Sequence, residues 1–289
     1  MTVTVQPGTT VPGAGPEDTA DIEPGLYDID ADAYHADPIP GGSLSSTGAR
    51  TLAKRCPAVF KWQLDHPEPP KKALDLGTAA HRLVLDDGPE LVLVDAARWD
   101  TNAIKAEVAA IRAAGSVPLK RPELEQVQAM AAELRKHPDA ARLLEPGSGV
   151  AEQSAFWNDH GVWRRCRFDW LRNDGQAVDY KSARSCRRDD LEKAFHEHGY
   201  HQQQDWYEDG GTTLGLLDPE RPMQFVLQEK DPPYLVVVTT CDPMAREIGR
   251  HLNTVALNAY AICRETGEWP GYLPNPMISL PPWVERQYA

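Results

Sequence analysis

The sequence predicts a mixed α/β (α+β) protein in which helices flank a central mixed β-sheet. Three observations predict it. Apolar residues recur at helical spacing through 45–85 and again through 102–136. Three stretches of alternating period, 150–157, 161–171 and 176–181, follow one another across tight turns. A helical stretch at 188–209, two more strands and a closing helix complete the order, which is that of a sheet covered by helices. With 289 residues, 41% apolar and 25% charged, the chain has the composition of a protein with a packed core.

The elements follow in order. Residues 1–25, rich in Pro, Gly, Thr and acids, read as a flexible acidic arm. That stretch has neither a basic start nor a continuous apolar core, and no run in the chain nears the ~18 apolar residues of a membrane span. No secretory leader and no membrane association are therefore expected, and the expected location is the cytoplasm. Ser45, Ser46 and Thr47 can cap a helix whose Leu52 packs inward. Pro57 breaks this helix and opens the next, carrying Phe60, which the prolines at 67, 69 and 70 stop. In 73–85, Leu76, Ala80, Leu83 and Val84 recur at helical spacing, and the small residues at 77–80 permit close packing. A short strand at 91–94 and amphipathic helices at 102–114 and 122–136 carry only core or surface roles. The three middle strands turn at 158–161 and 173–175. Strands at 223–228 and 234–240 turn at Asp231-Pro232-Pro233, a helix spans 243–266, and the tail is rich in Pro. The predicted organisation is an arm at 1–25, a single domain at 26–270 and a tail at 271–289, without internal repeats.

The net charge of −13 argues against a generic nucleic-acid coat, but its distribution is uneven. Residues 1–37 carry eight acids and no Lys or Arg, which leaves −5 for the remainder. Residues 162–188 carry eight bases against three acids, a local basic stripe of +5. Phosphate contacts respond to the local field, so an acidic total does not exclude DNA. The five cysteines, an odd number without a CxxC pair, speak against a disulfide framework or a structural zinc site and for buried free thiols.

In a strand, side chains alternate faces, so Arg165, Arg167 and Asp169 are expected on one face. Alone, Asp169 reads as a turn residue. Asp179 and Lys181, at i and i+2, project together, and an antiparallel pairing brings Asp169 close to Asp179. Two carboxylates at that range repel unless a cation or proton intervenes. A surface salt bridge is the plain reading of Asp179 with Lys181; a pair of acids on a short hairpin, beside a lysine and a basic stripe, is more specific. Hard oxygen ligands with open positions suit Mg²⁺ or Mn²⁺, which polarise a phosphate and acidify a bound water. His81 stands on a helix among small residues and alone reads as an ordinary histidine. Glu152 alone reads as an exposed strand acid. Gln203 and Tyr207 share a helical face with Tyr200 nearby, and a glutamine inside an aromatic stripe needs its amide satisfied.

Taken together and in this order, these residues resemble the exonuclease VIII (RecE-type) branch of the PD-(D/E)XK nuclease superfamily. The resembling segments are Tyr34-His35, Ser43 to Ser46, Cys56-Pro57-Ala58, Leu76-Gly77-Thr78-Ala79-Ala80-His81, Glu152 to Trp157, Arg167-Phe168-Asp169, Val178-Asp179-Tyr180-Lys181 and Tyr200-His201 to Tyr207. They span about 60% of the chain, from 34 to 207. The resemblance implies a restriction-endonuclease-like core and a metal-dependent 5′-to-3′ exonuclease acting on the ends of linear double-stranded DNA. Its product would be a single-stranded 3′ tail for an annealing (RecT-type) protein in phage recombination, and its assembly a homo-oligomeric ring. It places metal binding on His81, Asp169 and Asp179, catalysis on Lys181 beside the two aspartates, and a DNA-adjacent role on Gln203 and Tyr207. Glu152 matches an acid that supports the site or holds a second metal. Tyr180 and Ser182 stand where the family has an aliphatic residue and Thr. The cluster-binding cysteines of some relatives are missing, so no iron–sulfur cluster is expected. Arg165 and Arg167 are the expected phosphate contacts by virtue of their strand face.

Three other readings stay open at this point. One is a structure-specific endonuclease of the same superfamily. Another is a non-catalytic DNA-binding or assembly protein that has kept the fold. The third is a scaffold whose acidic arm recruits a basic partner.

Overall fold

A computed structural model describes residues 22–66, 75–96, 98–274 and 277–288. The predicted arm at 1–25 lies almost wholly outside these residues, as do the prolines at 67, 69 and 70. The chain opens with β1 (Gly25–Tyr27), α1 (Ala31–Ala36), β2 (Leu44–Ser45), α2 (Ser46–Lys54), α3 (Pro57–Asp65) and α4 (Asp75–Leu85). Next come β3 (Leu91–Leu93), α5 (Asn102–Ala113), β4 (Val117–Leu119), α6 (Arg121–Leu134) and α7 (Pro138–Leu143). The middle is β5 (Gly149–Asp159), β6 (Val162–Arg172), β7 (Ala177–Ala183), α8 (Arg188–His198) and α9 (Tyr200–Thr213). The last elements are β8 (Gln224–Glu229), β9 (Val236–Thr239), α10 (Pro243–Thr266) and α11 (Pro282–Tyr288).

The expected central mixed sheet is present. Seven strands run β1-β5-β6-β7-β8-β9, with β2 parallel to β6 off this path. Neighbours are antiparallel except β7 and β8, whose parallel pairing needs the α8–α9 crossover. A separate parallel pair joins β3 to β4. One core lies between the sheet and α2, α9 and α10, around Trp157, Trp206, Phe168 and Phe225. The other lies beneath α4, α6 and α7, around Met130, Trp170 and Tyr180.

Local chemistry explains most of the elements. Ser45 caps α2 by accepting from the Gly48 N–H, and Pro57 opens α3, where its missing N–H has no helical partner to lose. The helix expected at 188–209 is two helices. Gly199 takes φ +67, a left-handed turn that only glycine adopts cheaply, and it caps α8 before α9 begins. Beyond Asp209 the sequence Gly-Gly-Thr-Thr is poor helix material, yet α9 runs through it. A Cβ at Gly210 would collide with the Trp157 ring and one at Gly211 with Leu217, so close packing of backbone on side chain overrides propensity.

The short elements β1, β2, β4, α1 and α7 and the tail helix α11 were not expected. β4, Val117-Pro118-Leu119, is too short and proline-bearing to show a period. All five cysteines are free, four of them buried. Among the described residues no helix is long and apolar enough to cross a membrane.

Candidate active site

The site lies where β6 and β7 part. Their pairing covers only Trp170 with Val178 and Leu171 with Ala177; past this point β6 keeps to β5 and β2, and β7 to β8. The main chain of Tyr180 is left without a β6 partner. Its N–H donates to Asp169 Oδ2 at 2.9 Å, and its carbonyl lies 2.8 Å from His81 Nε2. A carbonyl only accepts, so in this contact Nε2 is the protonated, donating ring nitrogen. The parting of two strands thus gathers an acid and an imidazole that stand far apart in the chain.

Asp169 also marks a break in the alternation of β6. Phe168 packs toward α9 and Trp170 toward the opposite core, so two residues at i and i+2 face opposite ways. β5 breaks its pattern opposite: Ala155 and Trp157 face α9, whereas Ala151 packs with the α4 core. Between them Glu152 has φ +52, a strained backbone for a residue with a Cβ. The Glu152 carboxylate accepts from Arg167 Nε at 2.7 Å and comes within 3.9 Å of His81 Nδ1. His81 Nε2 lies 3.6 Å from Asp169 Oδ2.

Asp179 sits on the regular part of β7 and is buried. Its Oδ1 accepts from Gln203 Nε2 at 2.6 Å, and its Oδ2 lies 2.6 Å from Lys181 Nζ without an aligned hydrogen bond. The Lys181 ammonium also stands over the Tyr200 ring, 5.5 Å from its centre. Burial, then the neighbouring Asp179, push the Asp169 carboxyl up to about 7. Burial pulls the Lys181 ammonium down, but Asp179 and Asp169 outweigh it and hold it above its usual value. Within the cluster the Lys181 ammonium faces Asp179 and Asp169, and the Arg167 guanidinium is taken up by Glu152.

That donor set, carboxylates and one imidazole, suits a hard divalent cation of the Mg²⁺ or Mn²⁺ kind. Among the described residues no group of three or more His, Cys, Asp or Glu side chains is placed to hold a metal ion as they stand. Asp179 is turned to Gln203 and Lys181, so binding an ion there would need it to change partners.

His81, Glu152, Asp169, Asp179, Lys181 and Gln203 come together. Arg165 and Arg167 are each taken up by other groups of the protein. Arg165 is buried, pairs with Asp37 and donates to Ser43. Arg167 donates to Glu152, Ser154 Oγ and the Ile29 carbonyl. Neither guanidinium is free for a phosphate, and that expectation is corrected. The basic stripe at 162–188 is largely internal as well: Arg164 lies between the rings of Trp157 and Trp206, and Arg172 is tied to Asp174 and the α7 carbonyls. Gln203 is buried and holds Asp179 instead of facing outward, and Tyr207 packs edge-on against Phe168. The strand parting and the Asp37–Ser43 anchor had no sequence signal, since both depend on residues distant in the chain.

No protein-family model matches the chain, and no curated protein matches it. A solved structure shares the fold. It is a candidate exonuclease from Eubacterium rectale, 13% identical, superposing with a TM-score of 0.59 over 91% of this chain and 98% of that one. At this identity the likeness speaks for the fold alone. A second structure, LHK-Exo in complex with dAMP, is 12% identical over 68% of this chain and 96% of that one; its TM-score of 0.21 carries no argument.

Proposed function

We propose that this chain is a metal-dependent exodeoxyribonuclease of the RecE-type branch of the PD-(D/E)XK superfamily. It would hydrolyse phosphodiester bonds of linear duplex DNA from 5′ to 3′ and leave a 3′ single strand for an annealing protein. The observation that carries the reading is the meeting of His81, Asp169, Asp179 and Lys181 at one parting of strands, the four positions on which the sequence resemblance sets the metal and the lysine. The shared fold with a candidate exonuclease is consistent with it.

His81, Asp169 and Asp179 would hold Mg²⁺, or Mn²⁺, with Glu152 as a supporting acid. A bound cation would polarise the scissile phosphate and lower the pKa of a water. Lys181 is held in its charged form, so it donates to and orients the water and offsets charge growing on the phosphate; it is no proton acceptor at neutral pH. Gln203 fixes one oxygen of Asp179 and sets the direction of the other.

The test is one gel with linear duplex labelled at either end and a closed circle, with Mg²⁺ and with chelator. The expected result is Mg²⁺-dependent loss of the 5′ label from the linear duplex and an intact circle. Asp179→Ala should abolish cleavage while the protein stays folded and binds DNA. Cutting of the circle indicates an endonuclease, and persistent Mg²⁺-dependent degradation by the variant removes the site assignment.

A further inference from the structure

Most cations of this acidic chain are engaged within the protein, by acids, carbonyls or aromatic rings. Among the described residues the side chains of Lys105, Arg184, Arg187, Lys193, Lys230 and Arg286 have no such partner. Three of these fall within ten residues, directly after the strand that carries Asp179 and Lys181. Two of the three, Arg184 and Arg187, stand on the exposed segment joining β7 to α8.

The backbone of that segment is fixed. The Lys230 N–H donates to the Ala183 carbonyl at 3.1 Å, and the Cys186 N–H to Glu229 Oε1 at 2.7 Å. The Cys186 thiol meets the Leu227 and Leu235 carbonyls, and Ser185 Oγ accepts from the Arg187 N–H at 3.2 Å. A segment tied to β8 at several points holds its position while its two guanidinium groups reach solvent. By chain length alone, the Cα of Arg184 lies within about 11 Å of that of Lys181 and the Cα of Arg187 within about 22 Å. Unpaired guanidinium groups on a tied segment that directly follows the Asp179–Lys181 strand are suited to successive phosphates of a strand, which they bind by charge and by fork geometry.

The geometry points to Arg184 and Arg187 as the phosphate contacts that hold the DNA strand next to the site, in place of Arg165 and Arg167, which are engaged within the protein. This rests on the nuclease reading for its ligand. The pair belongs to binding and positioning, not to bond breaking. Because phosphate contact releases counterions, it has a signature that a merely structural role lacks: each contact adds about 0.9 to the slope of log affinity against log salt.

The test is fluorescence anisotropy of a labelled duplex on the full chain, in chelator so that no strand is cut, across a salt series. For Arg184→Ala/Arg187→Ala the slope should fall by about 2, and affinity by about tenfold or more at low salt. Arg184→Lys/Arg187→Lys should restore most of the slope. Lys105→Ala/Arg286→Ala, which removes two equally unpaired cations on α5 and α11, should leave it unchanged. A double-alanine variant with the wild-type slope overturns the proposal, whether or not the wild type cuts DNA. A reduced slope in a protein that never cleaves supports the contacts and sinks the nuclease reading. A wild-type chain that does not bind duplex at any salt overturns both.

Discussion

Asp169 is the residue on which most of the site's electrostatics converges. Burial and Asp179 raise its carboxyl to about 7, while in the unfolded chain it titrates near 3.8. Between those values the folded, cation-free protein holds a proton that the unfolded chain has lost. The stability this contributes is fully present below the unfolded value and disappears as pH rises through the folded one. His35 and His201, lowered by burial, act in the opposite sense, so a variant must be compared with the wild type. In chelator, Asp169→Asn should reduce the decline of the melting temperature between about pH 5 and about pH 8 and melt above the wild type at the upper end. Parallel melting curves for the two proteins would refute this assignment of the charge. The chemistry of this residue was legible in the sequence: a second acid, Asp179, across a short turn, with Lys181 two positions after it. Its facing was not. Strict alternation put Arg165 and Arg167 beside it, and the break at Phe168–Trp170 follows from packing on two different cores, which no local period reveals.

At the scale of elements, α9 does the positioning. It brings Gln203 to Asp179, Tyr200 to Lys181 and Tyr207 to Phe168, and its own place is set by α10. The contact is close because α10 presents Gly249 to the His201 carbonyl, where a Cβ would collide with main-chain atoms. Asn253, one turn on, donates to the Gln202 carbonyl and to Asp205. Gly249→Ala should therefore lower unfolding free energy in urea by about 2 kcal/mol, through forced separation of two helices. Under the proposed nuclease function it should also depress cleavage as Gln203 shifts. A stability within error of the wild type would show that the helices can part without cost. The larger helices and the three long strands were readable from period and turn residues. The division at Gly199 had a readable signal as well, a glycine after a histidine-rich last turn. The extension of α9 over Gly210 and Gly211 had none, because only Trp157 and Leu217 explain it.

Across the whole molecule, Arg164 fastens the sheet to its helical cover. The guanidinium lies 4.8 Å from the Trp157 ring centre and 4.0 Å from that of Trp206, and it pairs with Asp159 on β5 and Asp209 on α9. Arg164→Ala should cost about 3 kcal/mol in chemical denaturation, from the cavity between two indoles and the lost cation–π contact. Arg164→Met, which refills the space, should fall between the two. Equal losses in both variants would assign the effect to charge alone. The same view clarifies the strand parting. Sheets hold their shape through ladders, and here the ladder ends two residue pairs after it begins. Tyr180 keeps its place on that side only through the carboxylate of Asp169 and the ring of His81. Its peptide N–H is thus a built-in gauge of the acid cluster: whatever draws the Asp169 carboxylate aside frees the Tyr180 N–H, and hydrogen exchange at that one position would register the event without any substrate present.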